Sequence, residues 1–395
     1  MSTQTEAHAA GPRVRGAQVA VPCLYFRGGT SHGPFFEARH LPADTVARDA
    51  VLLAAMGSPD PRQIDGIGGA HPLTSKVGIV ARSERPGIDL EWRFGQIQPS
   101  GDTVDTTPNC GNMLAAVVPF AIETGLVVPE SDRTSVDVLT LNTGLVARIT
   151  VETPSAPDGR YVEYGGDARI DGVPGSAAPV LIDFLDTAGS VCSGLLPTGN
   201  IRDQVEADGL GMLDVTLIDN GQPLVIVAAS DLGISGYESP AEINGNEELR
   251  SKVERLRLAC GRLMGLGDVS ARNYPKMTLV AKPVSGGAIS TRSLIPHVCH
   301  DSIGVLAAVT AATAAVLPGS VANDLAVVEP GPSPTVSVEH PAGELSVALG
   351  LAPDDPQRIT RSALLRTARL LMAGEVLVPR HVWDPTRRPT EESLR

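Results

Sequence analysis

Residues 109–125 have the sequence NCGNMLAAVVPFAIETG, and residues 299–319 have the sequence CHDSIGVLAAVTAATAAVLPG. Each stretch places a cysteine shortly before an apolar segment that contains the letters LAAV. Segments with so little charge predict helices that are apolar on every face, and such helices must lie inside a protein. Their recurrence about half a chain apart predicts a duplicated architecture with one buried helix in each half.

The segments around these helices are typical of strands. Runs such as KVGIVARS, IDLEWRFGQI, MTLVAKPV and AISTRSLI are rich in alternating and β-branched residues, and Asn220-Gly221 predicts a hairpin. Helices are expected over 43–56 and 241–263. The sequence therefore predicts an α/β (α+β) fold of two pseudo-symmetric lobes, each with a sheet wrapped around a central apolar helix.

We place a flexible leader at 1–18, an N-terminal lobe at 19–190, a C-terminal lobe at 191–380 and a tail at 381–395. The N-termini of both buried helices are expected to lie at a shared cleft. A helix N-terminus carries partial positive charge and unpaired N–H groups, which suit carboxylates. The expected ligand is a small acid.

Composition excludes several classes of partner. The chain has 395 residues, with 32 Lys+Arg against 45 Asp+Glu, and a net charge of -13, which argues against nucleic acid. The uncharged stretch 302–323 is rich in Ala and Thr and is interrupted by Pro318-Gly319, so we expect a core helix and no membrane span. The oligomeric state is open, with a homodimer among the options.

The five cysteines, Cys23, Cys110, Cys192, Cys260 and Cys299, contain no C-x-x-C pair. Neither a disulfide framework nor a thiolate zinc site is indicated, and a reducing cytoplasm fits this pattern. The chain also lacks the glycine-rich phosphate-binding motifs of nucleotide-binding proteins. We therefore expect a cytoplasmic protein that needs neither a cofactor nor a metal.

Cys110 is the strongest candidate for a catalytic residue. A cysteine just before a helix has its thiolate favoured by the helix dipole, Gly111 permits close backbone approach, and Asn109 and Asn112 offer side-chain donors. For Cys23, Cys192 and Cys260 a buried packing role is the better interpretation.

Two further segments in the first half carry polar groups at strand ends. Ser75 and Lys76 lead directly into the strand VGIV, and a lysine there acts either as a general base after desolvation, as a cation for a carboxylate, or as a solvated surface residue. The segment Gly28–Ser31, with two glycines and two hydroxyls, forms either a carboxylate cradle or a simple tight turn.

The second half offers similar turns. Pro197–Asn200 and the segment PHVCH at 296–300 follow or precede strands, and Lys276 and Arg292 lie at strand edges. His297 and His300 have no acidic partners at metal-ligand spacing, so we interpret them as hydrogen-bonding or carboxylate-binding groups.

Taken together, these segments resemble a known family. RGGTSHGPFF, GSPDPRQIDGIGGAHPLTSKVGIV, FGQIQ, TTPNCGNMLAAVVPFAIE, LPTGN and PKMTLV are similar, in this order, to the methylaconitate cis-trans isomerase family. DTTPNCGNM and GAISTRSLIPHVCHDSIGVLAA most resemble its members that act on 4-oxalomesaconate. The resemblance covers about 19–321. Many relatives carry Lys after GGTS, where this chain has His32.

The resemblance implies a diaminopimelate-epimerase-like fold and cofactor-free proton transfer that shifts a C=C bond in an unsaturated tricarboxylate of aromatic-acid breakdown. It implies that Lys76 and Cys110 are the acid/base pair, with the direction of transfer open. The residues expected to bind the substrate are Gly29, Thr30, Ser31, Ser75, Asn109, Gly111, Asn112, Met113, Thr198, Gly199, Asn200, Lys276, Arg292, His297 and His300.

Other functions remain open at this point. An aconitate or 2-methylaconitate isomerase would use the same residues on another tricarboxylate. A two-cysteine amino-acid racemase or epimerase would pair Cys110 with Cys299. A non-catalytic tricarboxylate-binding protein would need no acid/base pair at all.

Overall fold

The structure is a computed structural model that describes residues 11–106, 110–185 and 187–387. These residues form two compact units. Unit 1 consists of the described residues within 1–169, 173–182 and 366–395, and unit 2 consists of those within 170–172 and 183–365. The lobes expected at 19–190 and 191–380 differ from these units, because the chain returns to unit 1 after Leu365.

Strands make up most of the regular structure, and the helices lie between them. In chain order, the helices are α1 Thr45–Met56, α2 Gly111–Leu114, α3 Val117–Glu123, α4 Pro240–Gly245, α5 Glu247–Leu263 and α6 Val305–Val316. The strands are β1 Arg13–Arg15, β2 Gln18–Gly28, β3 Ser31–Glu37, β4 Lys76–Arg82, β5 Leu90–Ile97, β6 Val104–Asp105, β7 Arg133–Thr140, β8 Val146–Glu152, β9 Ser155–Ala156, β10 Gly159–Arg160, β11 Val180–Phe184, β12 Asp203–Ala207, β13 Gly211–Asp219, β14 Pro223–Ala228, β15 Lys276–Ala281, β16 Ile289–Leu294, β17 Thr335–His340, β18 Gly343–Ala352, β19 Asp355–Arg366 and β20 Ala368–Pro379.

Unit 1 is built on a mixed sheet with the order β20, β2, β3, β4, β5, β7, β8. The β3–β4 and β5–β7 pairs are parallel and the other pairs are antiparallel. β20 runs along the whole length of β2, so part of the expected C-terminal lobe completes the N-terminal sheet. The short β1, which falls in the expected leader, also pairs with β2.

Unit 2 repeats this topology. Its sheet has the order β12, β13, β14, β15, β16, β17, β18, β19, and the β14–β15 and β16–β17 pairs are parallel. β13 and β14 form the hairpin expected at Asn220-Gly221. Both units therefore have the same order of elements: a hairpin, a helix, a second hairpin, a buried helical segment and a third hairpin. Each hairpin is joined to the one before it by a parallel pair of strands. The predicted duplication is confirmed.

Each sheet is covered on both faces. In unit 1, α1 packs on one face through a core that includes Val77 and Ile79 of β4, while the ring of Phe120 in α3 lies 5.9 Å from that of Phe35 in β3 on the other face. In unit 2, α5 packs against residues of β13, β14 and β15, and α6 contacts β13, β14, β17 and β18.

Both central helices are buried, as their composition predicts. From Ala307 to Ala315 every residue of α6 is buried. None of the helices in the described part of the chain is long and apolar enough to cross a membrane.

The sequence predicts one continuous helix over the first apolar segment, and this prediction is wrong. The segment forms the one-turn helix α2 and then α3. Pro119 explains the break, because it lacks the N–H that would bond to the carbonyl of Ala115 and its ring would clash with that carbonyl. The helix expected over 241–263 is likewise divided at Asn246, whose side chain accepts a hydrogen bond from the N–H of Leu249 and caps α5.

Candidate active site

Lys76 is the first residue of β4, and it lies on the sheet face that carries α2 and α3. This follows from strand alternation, because Val77 and Ile79 face α1. The Lys76 side chain is largely buried. Its ammonium group donates a hydrogen bond to Oε1 of Gln96, the residue opposite it on β5, and lies 5.1 Å from the centre of the Phe94 ring.

Gln96 is itself held in one orientation. Its Nε2 donates to the carbonyl oxygens of Pro72 and Ser75, at 3.0 and 3.1 Å. Since carbonyl oxygens only accept, the amide nitrogen must face them and Oε1 must face Lys76. The ammonium is therefore fixed at the end of the strand by a neutral acceptor and an aromatic face.

The loop before Lys76 is tied together by the buried side chain of Gln63. Its Oε1 accepts from the Ser75 hydroxyl at 2.6 Å and from the N–H of Ala70 at 2.9 Å, and its Nε2 donates to the Ser58 hydroxyl at 3.1 Å. Ser75 is fully buried. Its hydroxyl thus holds the loop in place, and its expected contact with substrate stays a prediction.

The turn between β2 and β3 packs closely against both β4 and α2. A Cβ added at Gly33 would lie 1.8 Å from the carbonyl oxygen of Lys76 and 3.5 Å from Cε of Met113. Gly29 has a φ of +52°, and a Cβ there would lie 2.2 Å from Oδ1 of Asn112. Only glycine permits this approach, which brings the strand end that carries Lys76 and the start of α2 to the same β2–β3 hairpin, the first beside Gly33 in β3 and the second beside Gly29 in the turn.

The hydroxyl residues of this turn have different environments. Thr30 is half-buried, and its Oγ1 accepts a hydrogen bond from Nδ2 of Asn112 at 2.9 Å. Ser31 is buried, and its Oγ has no hydrogen-bond partner among the described residues. The structure therefore brings Gly29, Thr30, Asn112 and Met113 together, and their contact with substrate stays a prediction.

Cys110 is half-buried and directly precedes α2, and its carbonyl accepts the hydrogen bond of Leu114 N–H at 2.9 Å. Gly111 is buried as the first helical residue. The expected support from a long helix dipole is weaker than predicted, because α2 has only 4 residues. Asn109 lies outside the described residues.

A residue that the sequence did not suggest supplies positive charge instead. Arg366, the last residue of β19, is almost completely buried, and its Nε donates to Oδ1 of Asn112 at 3.1 Å. Burial lowers the pKa of the Arg366 guanidinium to about 10, and the nearby Cys110 thiol partly opposes this shift because its anionic form favours the cation.

Thr367 ties the same segment to the turn between β2 and β3. Its carbonyl accepts from the N–H of Gly29 at 2.9 Å and from Nη1 of Arg27 at 3.0 Å. Neither Arg366 nor Thr367 belongs to a local motif. They reach the site because β20 pairs with β2, and no pattern in the sequence indicates that pairing.

His32 occupies the position where many relatives have Lys. Its Nδ1 is 3.0 Å from the Tyr25 hydroxyl, which also lies 3.1 Å from the carbonyl oxygen of Ile67. Because the carbonyl only accepts, the single Tyr25 proton goes to Ile67 and the imidazole donates from Nδ1. Burial lowers the pKa of His32, which favours the neutral ring over the imidazolium.

Burial raises the pKa of Cys23, Cys192 and Cys260 to about 12, and that of Cys299 to about 11. These thiols therefore stay protonated at neutral pH. Cys299 is buried, and its N–H donates to Oδ1 of Asn244 at 2.8 Å. These surroundings do not favour a second catalytic thiol at Cys299.

Lys276 occupies in unit 2 the place that Lys76 occupies in unit 1. It is the first residue of β15 and lies on the face that carries α6, since Met277 and Leu279 face α5. Among the described residues its ammonium makes no hydrogen bond or ion pair. A Cβ added at Gly304, the N-cap of α6, would lie 3.6 Å from Lys276 Nζ.

Other polar groups surround this lysine. Burial lowers the pKa of Lys276, and burial followed by the charge of Lys276 lowers the pKa of His300. Thr278 and Ser293 are opposite each other on β15 and β16, on the same sheet face as Lys276, and both hydroxyls are buried without a partner among the described residues. A cation, a helix N-terminus and unpaired donors therefore lie near one another in unit 2.

The remaining expected residues are engaged elsewhere. Arg292 is buried and donates to the carbonyls of Glu238 and Thr291 at 2.6 and 2.9 Å. His297 is largely exposed and lies 3.4 Å from the carboxylate of Glu254.

In the turn before β12, Thr198 Oγ1 and Asn200 Nδ2 donate to the two carboxylate oxygens of Asp203, at 2.7 and 2.8 Å. Gly199 has a φ of +80°, which this turn requires. Substrate binding by these residues and by Arg292 and His297 stays a prediction. Within residues 11–106, 110–185 and 187–387 no group of three or more His, Cys, Asp or Glu side chains could hold a metal ion.

Two α/β units of the same topology, each with a sheet around a buried helix, define the diaminopimelate-epimerase-like fold class. The chain belongs to the PrpF family: the family model described as "PrpF protein" matches residues 18–379. Its curated relatives are isomerases, and this chain is an isomerase.

Among these relatives, the (4E)-oxalomesaconate Delta-isomerase of Novosphingobium sp. (strain KA1) is 54% identical over 91% of this chain and 98% of its own length. The 4-oxalomesaconate tautomerase of Pseudomonas putida is 49% identical over 93% of this chain and 98% of its own length. A crystal structure of methylitaconate-delta-isomerase covers 95% of this chain and 100% of that chain at 35% identity, with a TM-score of 0.81.

Proposed function

We propose that the protein is a cofactor-independent isomerase that shifts a C=C bond of 4-oxalomesaconate by 1,3-proton transfer. The likeness to the Novosphingobium and Pseudomonas enzymes, at 54% and 49% identity over nearly the whole chain, supports the substrate. The observation that supports the chemistry is in unit 1, where Lys76 and the segment that begins with Cys110 both pack against the glycine-rich hairpin of β2 and β3.

Shifting the double bond requires that one group removes a proton from a carbon next to an activating carbonyl. The electron pair then delocalises over the conjugated system as an extended enolate, and a second group returns a proton two carbons away. Lys76 and Cys110 are the two groups in our proposal, and either can act first. The atoms balance without any external oxidant or reductant, because one proton leaves the substrate and one returns.

The enolate oxygen and the carboxylates need donors that are already in place. We assign this role in unit 1 to the Thr30 hydroxyl and to the N–H groups of Gly111 and Asn112, because fixed donors stabilise charge that develops during the reaction. Lys276 and His300, in unit 2, stay proposed substrate-binding residues. The chain carries a net charge of -13, so an anionic substrate depends on such local positive groups.

A second candidate keeps the same residues and changes the substrate. The 35% identity to methylitaconate-delta-isomerase, whose name gives another unsaturated acid, supports this alternative, in which aconitate or 2-methylaconitate is isomerised. The buried state of Cys299 argues against the two-cysteine racemase. A protein that only binds a tricarboxylate would need no acid/base pair.

The deciding experiment follows the reaction by NMR in deuterated water. The purified protein is incubated separately with 4-oxalomesaconate, cis-aconitate and trans-aconitate. We expect isomerisation of 4-oxalomesaconate with deuterium at the positions that exchange protons. Turnover of the aconitates alone would move the substrate to the alternative, and silence with all three would support the binding protein.

A further inference from the structure

The side chains of Arg366, Asn112 and Thr30 form a hydrogen-bond chain with one possible direction. A guanidinium has donors only, so the Asn112 atom at 3.1 Å from Arg366 Nε must be Oδ1. The other end of the amide, Nδ2, then donates to Thr30 Oγ1 at 2.9 Å. Arg366 thereby determines that Thr30 accepts a hydrogen bond from Asn112.

A hydroxyl that accepts from an amide keeps its own hydrogen for another partner. Among the residues that the structure describes, none accepts from Thr30. The side chain is half-buried at the turn between β2 and β3 and is not enclosed in the core. The hydroxyl hydrogen of Thr30 is therefore available to an oxygen atom of a bound acid.

The same guanidinium acts on Cys110. Arg366 is 7% exposed, so solvent screens its charge poorly. The two residues interact electrostatically within unit 1. Because Arg366 hydrogen-bonds Asn112, two residues after Cys110, its buried positive charge lies close to the Cys110 side chain.

We infer that Arg366 is a positioning residue of this active site, which directs the hydroxyl of Thr30 toward the substrate oxyanion and holds positive charge beside Cys110. This inference rests on the proposed function for the part that concerns Thr30. The part that concerns Cys110 needs no substrate.

The first test is a double-mutant cycle at Thr30 and Asn112. Thr30→Val removes the donor. Asn112→Asp keeps the acceptor for Arg366 and the shape of the side chain, but it replaces the Nδ2 donor by an acceptor, so the Thr30 hydroxyl must turn toward it. Each change is expected to lower kcat by about 10²-fold, as the loss of one oxyanion donor does, on whichever tricarboxylate the wild-type protein isomerises.

The double variant separates our proposal from a simple loss of structure. If both changes remove the same donor, the Asn112→Asp change has little further effect in the Thr30→Val background. The kcat of Thr30→Ser is expected to be at least about tenfold higher than that of Thr30→Val, because serine restores the hydroxyl. Additive losses in the double variant would overturn the role of the hydrogen-bond chain.

The second test measures the rate at which iodoacetamide alkylates Cys110 near neutral pH, with the labelled peptide quantified by mass spectrometry. Arg366→Gln is expected to slow the reaction about tenfold and Arg366→Lys, which keeps the charge, by less than about threefold. The matched control is Arg361→Gln, because Arg361 is on the same strand and forms an ion pair with Asp183 at 2.8 Å.

An unchanged alkylation rate in a folded Arg366→Gln variant would overturn the electrostatic role of Arg366. If that variant does not fold, the cycle at Thr30 and Asn112 still decides whether the hydrogen-bond chain exists. Because alkylation requires no substrate, a wrong substrate assignment leaves this result intact, and the two failures can be distinguished.

Discussion

Lys76 and Lys276 are the first residues of equivalent strands in two units of the same topology, and each faces the central helix of its own unit. Their surroundings differ. Lys76 is held by Gln96 and the ring of Phe94. Lys276 makes no hydrogen bond or ion pair within the described part of the chain.

The residue at the start of the central helix differs as well. In unit 1 it is a cysteine, Cys110, with the cation of Arg366 close by. In unit 2 it is Gly304, which brings no reactive side chain. Among the described residues, the two groups that we propose for proton transfer therefore both lie in unit 1, whereas unit 2 presents a buried cation beside the N-terminus of its central helix.

The largest expected effect tests the proposed proton-transfer groups of unit 1. Lys76→Met and Cys110→Ser are each expected to lower kcat by at least about 10³-fold, because each removes one of the two groups that we propose for proton transfer. Circular dichroism and thermal unfolding would show that both variants fold. The measurement is isomerisation followed by NMR. Near wild-type turnover in either variant would remove that residue from the acid/base pair.

The sequence singles out these two residues as candidates because they lie in contiguous motifs at strand and helix ends, and their pairing as acid and base is what the family resemblance implies. Patterns of this kind report local structure, and they also predict the duplication, the hairpin at Asn220 and the buried helix α6. They fail at residues 111–123, where the apolar composition predicts one continuous helix but Pro119 divides it into α2 and α3.

Arg366, Thr367 and Gln96 show what local patterns cannot provide. Arg366 reaches Asn112 across 254 positions of the chain, and Thr367 reaches Arg27 across 340. Contacts of this kind depend on the pairing of β2 with β20, and a strand does not encode its partner in its own composition. Gln96 is opposite Lys76 only because β4 and β5 adopt one particular register.

An intermediate effect tests the proposed binding role of Lys276 in unit 2. Lys276→Met is expected to raise KM by about 10- to 100-fold, the loss of one charge-assisted contact, and to lower kcat far less than Lys76→Met does. Lys282→Met is the matched control, because Lys282 is exposed just after the same strand. A loss confined to kcat would show that Lys276 takes part in proton transfer.

The pH dependence of KM sharpens this prediction. Burial lowers the pKa of Lys276, so its ammonium loses its proton at a lower pH than an exposed lysine does. A cation that binds a carboxylate is lost as the pH rises, and KM of the wild-type protein should therefore increase on the alkaline side. In Lys276→Met the KM, already high, should no longer show this increase.

The smallest expected effect concerns stability. Lys276 has a lower pKa in the folded protein than its usual 10.5, so the folded state carries the cost of a partly buried charge at neutral pH, and this cost disappears as the pH rises toward 10.5. Lys276→Met keeps the apolar stem and removes the charge, and it should raise Tm by about 1–3 °C at neutral pH. Calorimetry in a chloride buffer without polycarboxylates measures this change, with Lys282→Met as the control.

A lower Tm in Lys276→Met would mean that the ammonium stabilises the folded protein through a partner, as the ammonium of Lys76 does through Gln96, and the contrast between the two lysines would then be lost. A higher Tm of Lys276→Met together with a higher KM would show that the ammonium destabilises the folded protein and binds the substrate. In that case unit 2 keeps a destabilising charge because the substrate needs it, which is the expected cost of a binding site prepared before its ligand arrives.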